Sequence, residues 1–338
     1  MKAKEITLFH QPRIVSGMRP TGKLHIGHVW GALNNWKKLQ SENKDCFYFV
    51  ADYHALTSNY QHTSDLPRNI SDMVLDWLAV GIDPEQSNLY LQSFVPEVAE
   101  LFLLFSMITP VGWLERNPTF KEMRQEQTDQ DLSNLGFLGY PVLQTADICV
   151  VKGSHVPVGL DQVPHLELSR EIVRRLNATY GEHFPEPQAL LTPSPKINGT
   201  DGRKMSKSFN NAIFLSDSAL EIETKIKGMM TDPKRIKRQD PGNPKHCNLY
   251  PLHELYSSTQ TQDEVQAGCV SAKIGCVDCK KMLLPSLTAA LLPLSERRTK
   301  LASKSDNVHQ ILVEGSKKVQ KIARETLGEL KEKMHLHD

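Results

Sequence analysis

Apolar positions change rhythm repeatedly between Arg13 and Asn177, and each change predicts an element. The β-branched run "RIVSG" (13–17) ends in glycine, after which the spacing turns helical from His25 to Leu39: strand, glycine-rich turn, helix. The order recurs. "CFYFVADYHAL" (46–56) is apolar and aromatic like a buried parallel strand, with helical spacing from Ser64 to Val80 behind it, and "NLYLQSF" (88–94) precedes a helical stretch from Glu97. "VPVG" (156–159) leads into Val163, Leu166, Leu168, Ile172, Val173 and Leu176 on one helical face. Strands alternating with helices predict an α/β fold with a doubly wound, Rossmann-type parallel sheet, which takes its ligand at the carboxyl ends of the strands. A Pro- and Gly-rich stretch from Pro185 to Gly202 closes this region, and strand signals fade after Asp217. Two domains are expected, 1–216 with the sheet and 217–338 smaller and all-helical. The last segment, with Val308, Ile311, Leu312, Val319, Ile322, Ala323, Leu327 and Leu330 on one face, reads as an amphipathic helix that packs back onto the rest.

Composition narrows the class. The 338 residues are 39% apolar, enough for a substantial core. No run approaches the roughly 18 residues that span a bilayer, and "MKAKEITLFHQPR" lacks a signal-peptide core, so a cytoplasmic protein without membrane contact is expected. A net charge of +1 gives no sign of a DNA binder, although the basic run "DPKRIKR" (232–238) could touch RNA phosphates as readily as form a solvated face. In a reducing compartment, four of the six cysteines gathered between Cys247 and Cys279 point to metal or chemistry before disulfides.

Two polar motifs carry specific chemistry. In "GMRPTGKLHIGH", His25 and His28 sit three apart at a helix start and share a face, while Gly27 leaves room for a flat ring against the backbone. Imidazole N–H groups beside helix N-terminal amides suit a polyphosphate. In "DGRKMSKSFNN" (201–211), Lys204 and Lys207 with Ser206 and Ser208 form a cationic, flexible loop, which alone would be a solvated surface feature. "GLDQ" (159–162) sets Gly159, Leu160 and Asp161 at a strand end where a ribose could bind, Asp161 serving equally well as a helix N-cap.

"HIGH" followed by "KMSKS" resembles the paired signatures of class I aminoacyl-tRNA synthetases. The resemblance implies that Arg19, Pro20, Thr21, Gly27, His28, Gly159, Leu160, Asp161 and the loop Lys204, Met205, Ser206, Lys207, Ser208 hold ATP with Mg²⁺, with His25, His28, Lys204 and Lys207 catalytic. The reaction suits these groups: a carboxylate attacks the α-phosphorus, no protein nucleophile is needed, and charge spreading over phosphate oxygens is met by positioned donors and cations. "LERNPTFKE" (114–122), "GYPVLQTADI" (139–148) and "VPVGLDQVPHLELSREIVRRLN" (156–177) extend the similarity over nearly the whole chain to bacterial-type tryptophanyl-tRNA synthetases. That family implies Asp147 as acceptor for the indole N–H, Tyr140 and Gln162 on the amino group, L-tryptophan and tRNA(Trp) as partners, and a homodimer whose helical domain reads the anticodon. Gln144 and Asp147, three apart on one helical face, also resemble the pair that reads a phenol in tyrosyl-tRNA synthetases, so tyrosine is the alternative substrate. A nucleotidyltransferase of the same superfamily would share "HIGH" and the sheet without needing the long helical portion, and a non-catalytic RNA-binding paralogue is expected to lack one of the two motifs.

Cys247, Cys269, Cys276 and Cys279, spaced C-x₂₁-C-x₆-C-x₂-C, supply the full ligand set of either a structural zinc or a [4Fe–4S] cluster. The spacing resembles that of the iron–sulfur subset of bacterial tryptophanyl-tRNA synthetases, which makes the cluster the first expectation and Zn²⁺ the alternative. Cys46 and Cys149 read as buried free thiols.

Overall fold

A computed structural model describes residues 12–42, 45–116, 134–191, 195, 197–303 and 307–336. Five parallel strands, β1 (Arg13–Met18), β2 (Asp45–Val50), β3 (Asn88–Leu91), β4 (His155–Val158) and β5 (Gln188–Leu191), form one sheet in the order β3-β2-β1-β4-β5. Both faces are apolar because successive side chains of a central strand point to opposite sides. Along β2, Cys46, Tyr48 and Val50 enter one core with Trp36, Met73 and Trp77, whereas Phe47, Phe49 and Ala51 enter a second with Val98, Phe105 and Val142. The expected doubly wound sheet is thus present, and its continuous apolar strands are the cause.

Three elements differ from expectation. The run 46–56 is strand only to Val50; Asp52–Asn59 is a helix. Buried Asp52 terminates the strand locally, its Oδ1 accepting the amides of Tyr53 and Ser93, each at 3.1 Å. β5 had no forecast, since "QALL" is four residues long, largely exposed and set among prolines. Helix 26–41 contains a π-helical stretch, Val29–Leu33, directly behind His28.

Beyond Asp217 the described residues are helical: Ala219–Gly228, Tyr250–Tyr256, Thr259–Val270, Cys276–Ala302 and Asn307–Lys333. Helix Cys276–Ala302 packs Leu283, Leu287 and Leu291 into the core that holds Trp36 and Trp77. Helix Asn307–Lys333 returns to β3, the edge strand. There Ser316 Oγ accepts the Leu91 N–H at 3.2 Å, and a Cβ on Gly315 would stand 1.8 Å from the Leu89 carbonyl oxygen. Small residues in mid-helix thus let the backbone close over an edge that would otherwise expose pairing groups. Among the described residues no helix is long and apolar enough to cross a membrane.

Candidate active site

β1 pairs with β2 on one side and β4 on the other, so strand order reverses at β1, the place where a parallel sheet opens a crevice. β1 and β4 share a single register pair, Ile14 with His155, and toward their carboxyl ends a cavity of about 240 Å³ lies between them. Its walls include Gly17, Trp36, Phe49, Gln144, Asp147, Gly159 and Gln162. Helix Tyr140–Cys149 therefore brings Gln144 and Asp147 to one cavity, as their spacing requires.

Asp147 is only 1% exposed, and both oxygens have partners. His54 Nε2 lies 2.9 Å from Oδ2 and Gln92 Nε2 donates to Oδ1 at 2.7 Å. Burial pushes the Asp147 carboxyl above the usual carboxylate range, against the opposing effect of His54 and Gln92. Gln92 is itself oriented, because Tyr53 N–H donates to its Oε1 at 3.1 Å and leaves the amide N–H₂ to face the carboxylate. The Tyr90 hydroxyl, buried beside them, has no hydrogen-bond partner among the described residues. A carboxylate has about four lone-pair positions, so two donors leave room for a third. Behind Gln162 of the cavity wall, His165 Nδ1 stands 3.1 Å from Gln162 Oε1, and its Nε2 stands 2.7 Å from Tyr140 Oη. Of the two neutral tautomers the Nδ1–H form satisfies both contacts, donating to Gln162 Oε1 and accepting from Tyr140, so buried His165 links the two.

His25 and His28 stand at the helix start with ring centroids 3.9 Å apart, and His25 N–H donates to His28 Nδ1 at 3.2 Å. Burial lowers His25 to about 3, helped by His28, and lowers His28 to about 4, so both rings are neutral near pH 7. His25 Nδ1 is buried without a hydrogen-bond partner among the described residues. A Cβ on Gly27 would meet the His25 ring at 2.9 Å, which makes glycine the residue that fits there. The turn is tied to the chain that follows the lysine loop: Ile26 N–H donates to Ile213 O and Leu215 N–H to Leu24 O, both at 3.0 Å.

The lysine loop is held from below by Asn211, which is 2% exposed. Its Oδ1 accepts Ser206 N–H at 2.8 Å, and its Nδ2 donates to Asp201 Oδ1 at 2.8 Å and Lys204 O at 3.1 Å. Asp201 is held at about 2, chiefly by that Asn211 bond and then by Arg203. Met205 is buried, and Ser206 Oγ lies 2.8 Å from Ser208 Oγ. A Cβ on Gly22 (φ +100°) would stand 2.9 Å from Lys207 Nζ, so this lysine reaches the turn that precedes His25. Arg19, Pro20 and Thr21 line a separate cavity of about 190 Å³ with Asn59, His62 and Asn69. Arg19 Nη2 donates to Ser58 Oγ at 2.5 Å. Leu160 is 77% exposed, whereas the Asp161 side chain and most of "LERNPTFKE" lie outside the described residues.

The thiols come together without forming a ligand cage. Cys247 follows the turn Pro244–His246, Cys269 ends helix Thr259–Val270, and Cys276 and Cys279 occupy the first turn of helix Cys276–Ala302. Cys279 is pushed up to about 12, by burial first and then by Cys247, Cys269 and Cys276; Cys247 and Cys269 are raised as well. Arg235 Nη1 approaches Cys269 Sγ at 3.9 Å, and His253 Nε2 stands 3.4 Å from Cys279 Sγ. Among the described residues no group of three or more His, Cys, Asp or Glu side chains is arranged to hold a metal, so this geometry lends the expected metal site at Cys247, Cys269, Cys276 and Cys279 no support. All six cysteines are free, Cys46 and Cys149 buried as expected.

His54, Gln92, His165 and Asn211 escape sequence reasoning. His54 lies inside the apolar run 46–56 that reads as strand, while Asn211 ends the lysine-loop motif with no chemistry of its own to mark it.

A switch-point cleft flanked by a His-Ile-Gly-His helix start and a Lys-Met-Ser-Lys-Ser loop defines a Rossmann-type class I synthetase. Residues 9–292 match the family model described as tRNA synthetases class I (W and Y). The chain is 52% identical over 325 residues to the tryptophan–tRNA ligase of Thermotoga maritima, covering 96% of this chain and 99% of that protein. It is 42% identical over 394 residues to the Aquifex aeolicus ligase of the same name, covering 96% and 100%. The structure of Campylobacter jejuni tryptophanyl-tRNA synthetase complexed with ADP and tryptophan superposes with a TM-score of 0.85 at 34% identity, covering 96% of this chain and all of that one. The chain belongs to the class I tRNA synthetases of the tryptophan and tyrosine group.

Proposed function

We propose that this chain activates L-tryptophan with Mg·ATP to tryptophanyl-adenylate and transfers it to tRNA(Trp). The observation that carries the choice of amino acid is Asp147: an acceptor with a free lone pair on the wall of a cavity flanked by Trp36 and Phe49. Indole offers one N–H donor and no acceptor, so it pairs with this carboxylate, which a phenylalanine ring would leave short of a partner. Tyr140 and Gln162, linked through His165, take the substrate amino group. Neutral His25 and His28 bind the ATP phosphates by N–H donation, Gly27 receives the adenosine, and Gly159, Leu160 and Asp161 hold its ribose. Lys204 and Lys207 meet the charge that develops on the leaving pyrophosphate. Mg²⁺ supplies charge neutralisation on the phosphates when bound. The names of the Thermotoga and Aquifex relatives support the same substrate. Gln144 on the same wall favours tyrosine as the second reading. Tryptophan-dependent exchange of labelled pyrophosphate into ATP is the expected result. Exchange driven by tyrosine and silent with tryptophan would replace the first reading by the second.

We also propose that residues 217–338 contact the anticodon arm, that the enzyme works as a homodimer in the cytoplasm, and that Cys247, Cys269, Cys276 and Cys279 ligate a [4Fe–4S] cluster, with zinc as the alternative. The mutual influence of the thiols supports a common centre, since a cation would draw them together and displace their protons. Such a group would staple three segments of the helical region and lies far in sequence from the phosphate motifs. Anaerobically purified protein is expected to be brown, with about four irons per chain. About one zinc per chain in colourless protein would transfer the site to zinc, and neither metal would leave four free thiols.

A further inference from the structure

The amide of Leu24, the residue directly before His25, donates to Asp76 Oδ2 at 2.7 Å. Leu24 and Asp76 are both fully buried. The other oxygen of Asp76 accepts from Arg298 Nε at 2.7 Å, and the same guanidinium pairs through Nη2 with Asp72. Asp72 and Asp76 lie on helix Leu66–Val80, beneath the sheet's first turn, whereas Arg298 lies on helix Cys276–Ala302 of the helical region. Burial raises Asp76 to about 6, and the Leu24 amide first and then the Arg298 guanidinium oppose it, so the two together keep this carboxylate charged near neutral pH. An unpaired buried charge is not tolerated at such a position, and a neutral carboxyl is a weaker acceptor for the Leu24 amide. Leu24 is also where the chain after the lysine loop attaches, through Leu215 N–H. One buried ion pair thus sits behind the junction of both phosphate motifs.

We propose that Arg298 is a positioning residue for amino-acid activation: through Asp76 it fixes the Leu24 backbone and so sets the imidazoles of His25 and His28, joining the helical region to the ATP side of the cleft. The functional part of this inference rests on His25 and His28 acting on ATP as proposed above. Small displacements of a positioned group cost large factors in rate, because the reacting geometry is lost while the binding of the other substrate is kept.

Four variants, R298M, D76N, their double, and D72N, are compared in tryptophan-dependent pyrophosphate exchange, with thermal melting and amide hydrogen exchange of the peptide covering Leu24 to His28. R298M and D76N are each expected to lower kcat, or to raise the ATP KM, by about tenfold at unchanged tryptophan KM. The double variant should be no worse than the poorer single, since both remove one link. D72N removes the outer arm alone and should lower the melting temperature with kinetics within about twofold of wild type. Amides 24–28 should exchange faster in R298M and D76N while those of β1 and β2 stay protected. Should R298M not fold, D76N carries the test, because asparagine keeps the shape and an acceptor for the Leu24 amide while offering Arg298 no charge. Lower melting temperatures with wild-type kinetics and wild-type protection at 24–28 would overturn the proposal, as would fully additive kinetic losses. If the wild-type protein gave no tryptophan-dependent exchange, the proposed activity would fall, and faster amide exchange in R298M would still establish the anchor.

Discussion

Replacing Lys204 or Lys207 by alanine is expected to lower kcat for tryptophan activation by about 10²–10³-fold, or about 2.7–4 kcal/mol of transition-state stabilisation, with little change in tryptophan binding. The direction follows from when the charge appears. Pyrophosphate leaves with negative charge that the ground state spreads differently, so cations aimed at the departing oxygens act mainly in the transition state. The loop is suited to that task by construction: Met205 is buried and Asn211 ties Ser206, Lys204 and Asp201 together, while Lys207 Nζ reaches the Gly22 turn. Its base is fixed, and Lys207 faces the other phosphate motif. Single-turnover rates and tryptophan KM values for K204A and K207A check this. Wild-type turnover in both would make the loop a solvated surface feature.

Asp147→Ala should raise the tryptophan KM by about 10- to 100-fold, equivalent to roughly 1.4–2.7 kcal/mol, and leave the ATP KM nearly unaltered. Two effects add. The indole N–H loses its acceptor, and the buried donors of His54 and Gln92 lose theirs, so the empty site is also disordered. Comparable damage to the ATP KM would instead make Asp147 a structural carboxylate. Gln92→Ala serves as a second probe, since it removes one donor from Asp147 without touching the proposed acceptor, and its effect on the tryptophan KM should be smaller.

The legible and the hidden parts of this molecule separate by range along the chain. Strands β1 to β4 and the helices between them were legible because apolar periodicity is a local property, set by which neighbours share a face. Where periodicity was weak, reading failed: the helix Asp52–Asn59 is mostly polar with no distinct apolar face, and β5 is a short, exposed edge held by pairing with β4. The two phosphate motifs were legible for the same reason, since each is a contiguous run whose residue types and spacing already state their chemistry. Gln144 and Asp147 share a wall because they are three apart on one helix, which any helix would ensure.

Which groups complete the site was decided by topology alone. His54 and Gln92 come from the ends of β2 and β3 and meet Asp147 only because parallel strands bring their carboxyl ends to one edge. The four thiols are countable in the sequence, yet only the fold buries Cys247, Cys269 and Cys279 so that they are raised, with Arg235 approaching Cys269 against that effect. Asp76 and Arg298, more than two hundred residues apart, look like ordinary helix-surface charges until two helices pack and close them off from water. The sequence by itself determined the parallel α/β sheet, the helical C-terminal region and the two phosphate motifs, since local periodicity and contiguous spacing encode them. Only the tertiary structure decided the partners of Asp147, the covering of the β3 edge and the link from the helical region to His25, because burial and long-range pairing give those side chains their chemistry and neither is written in any one stretch of the chain.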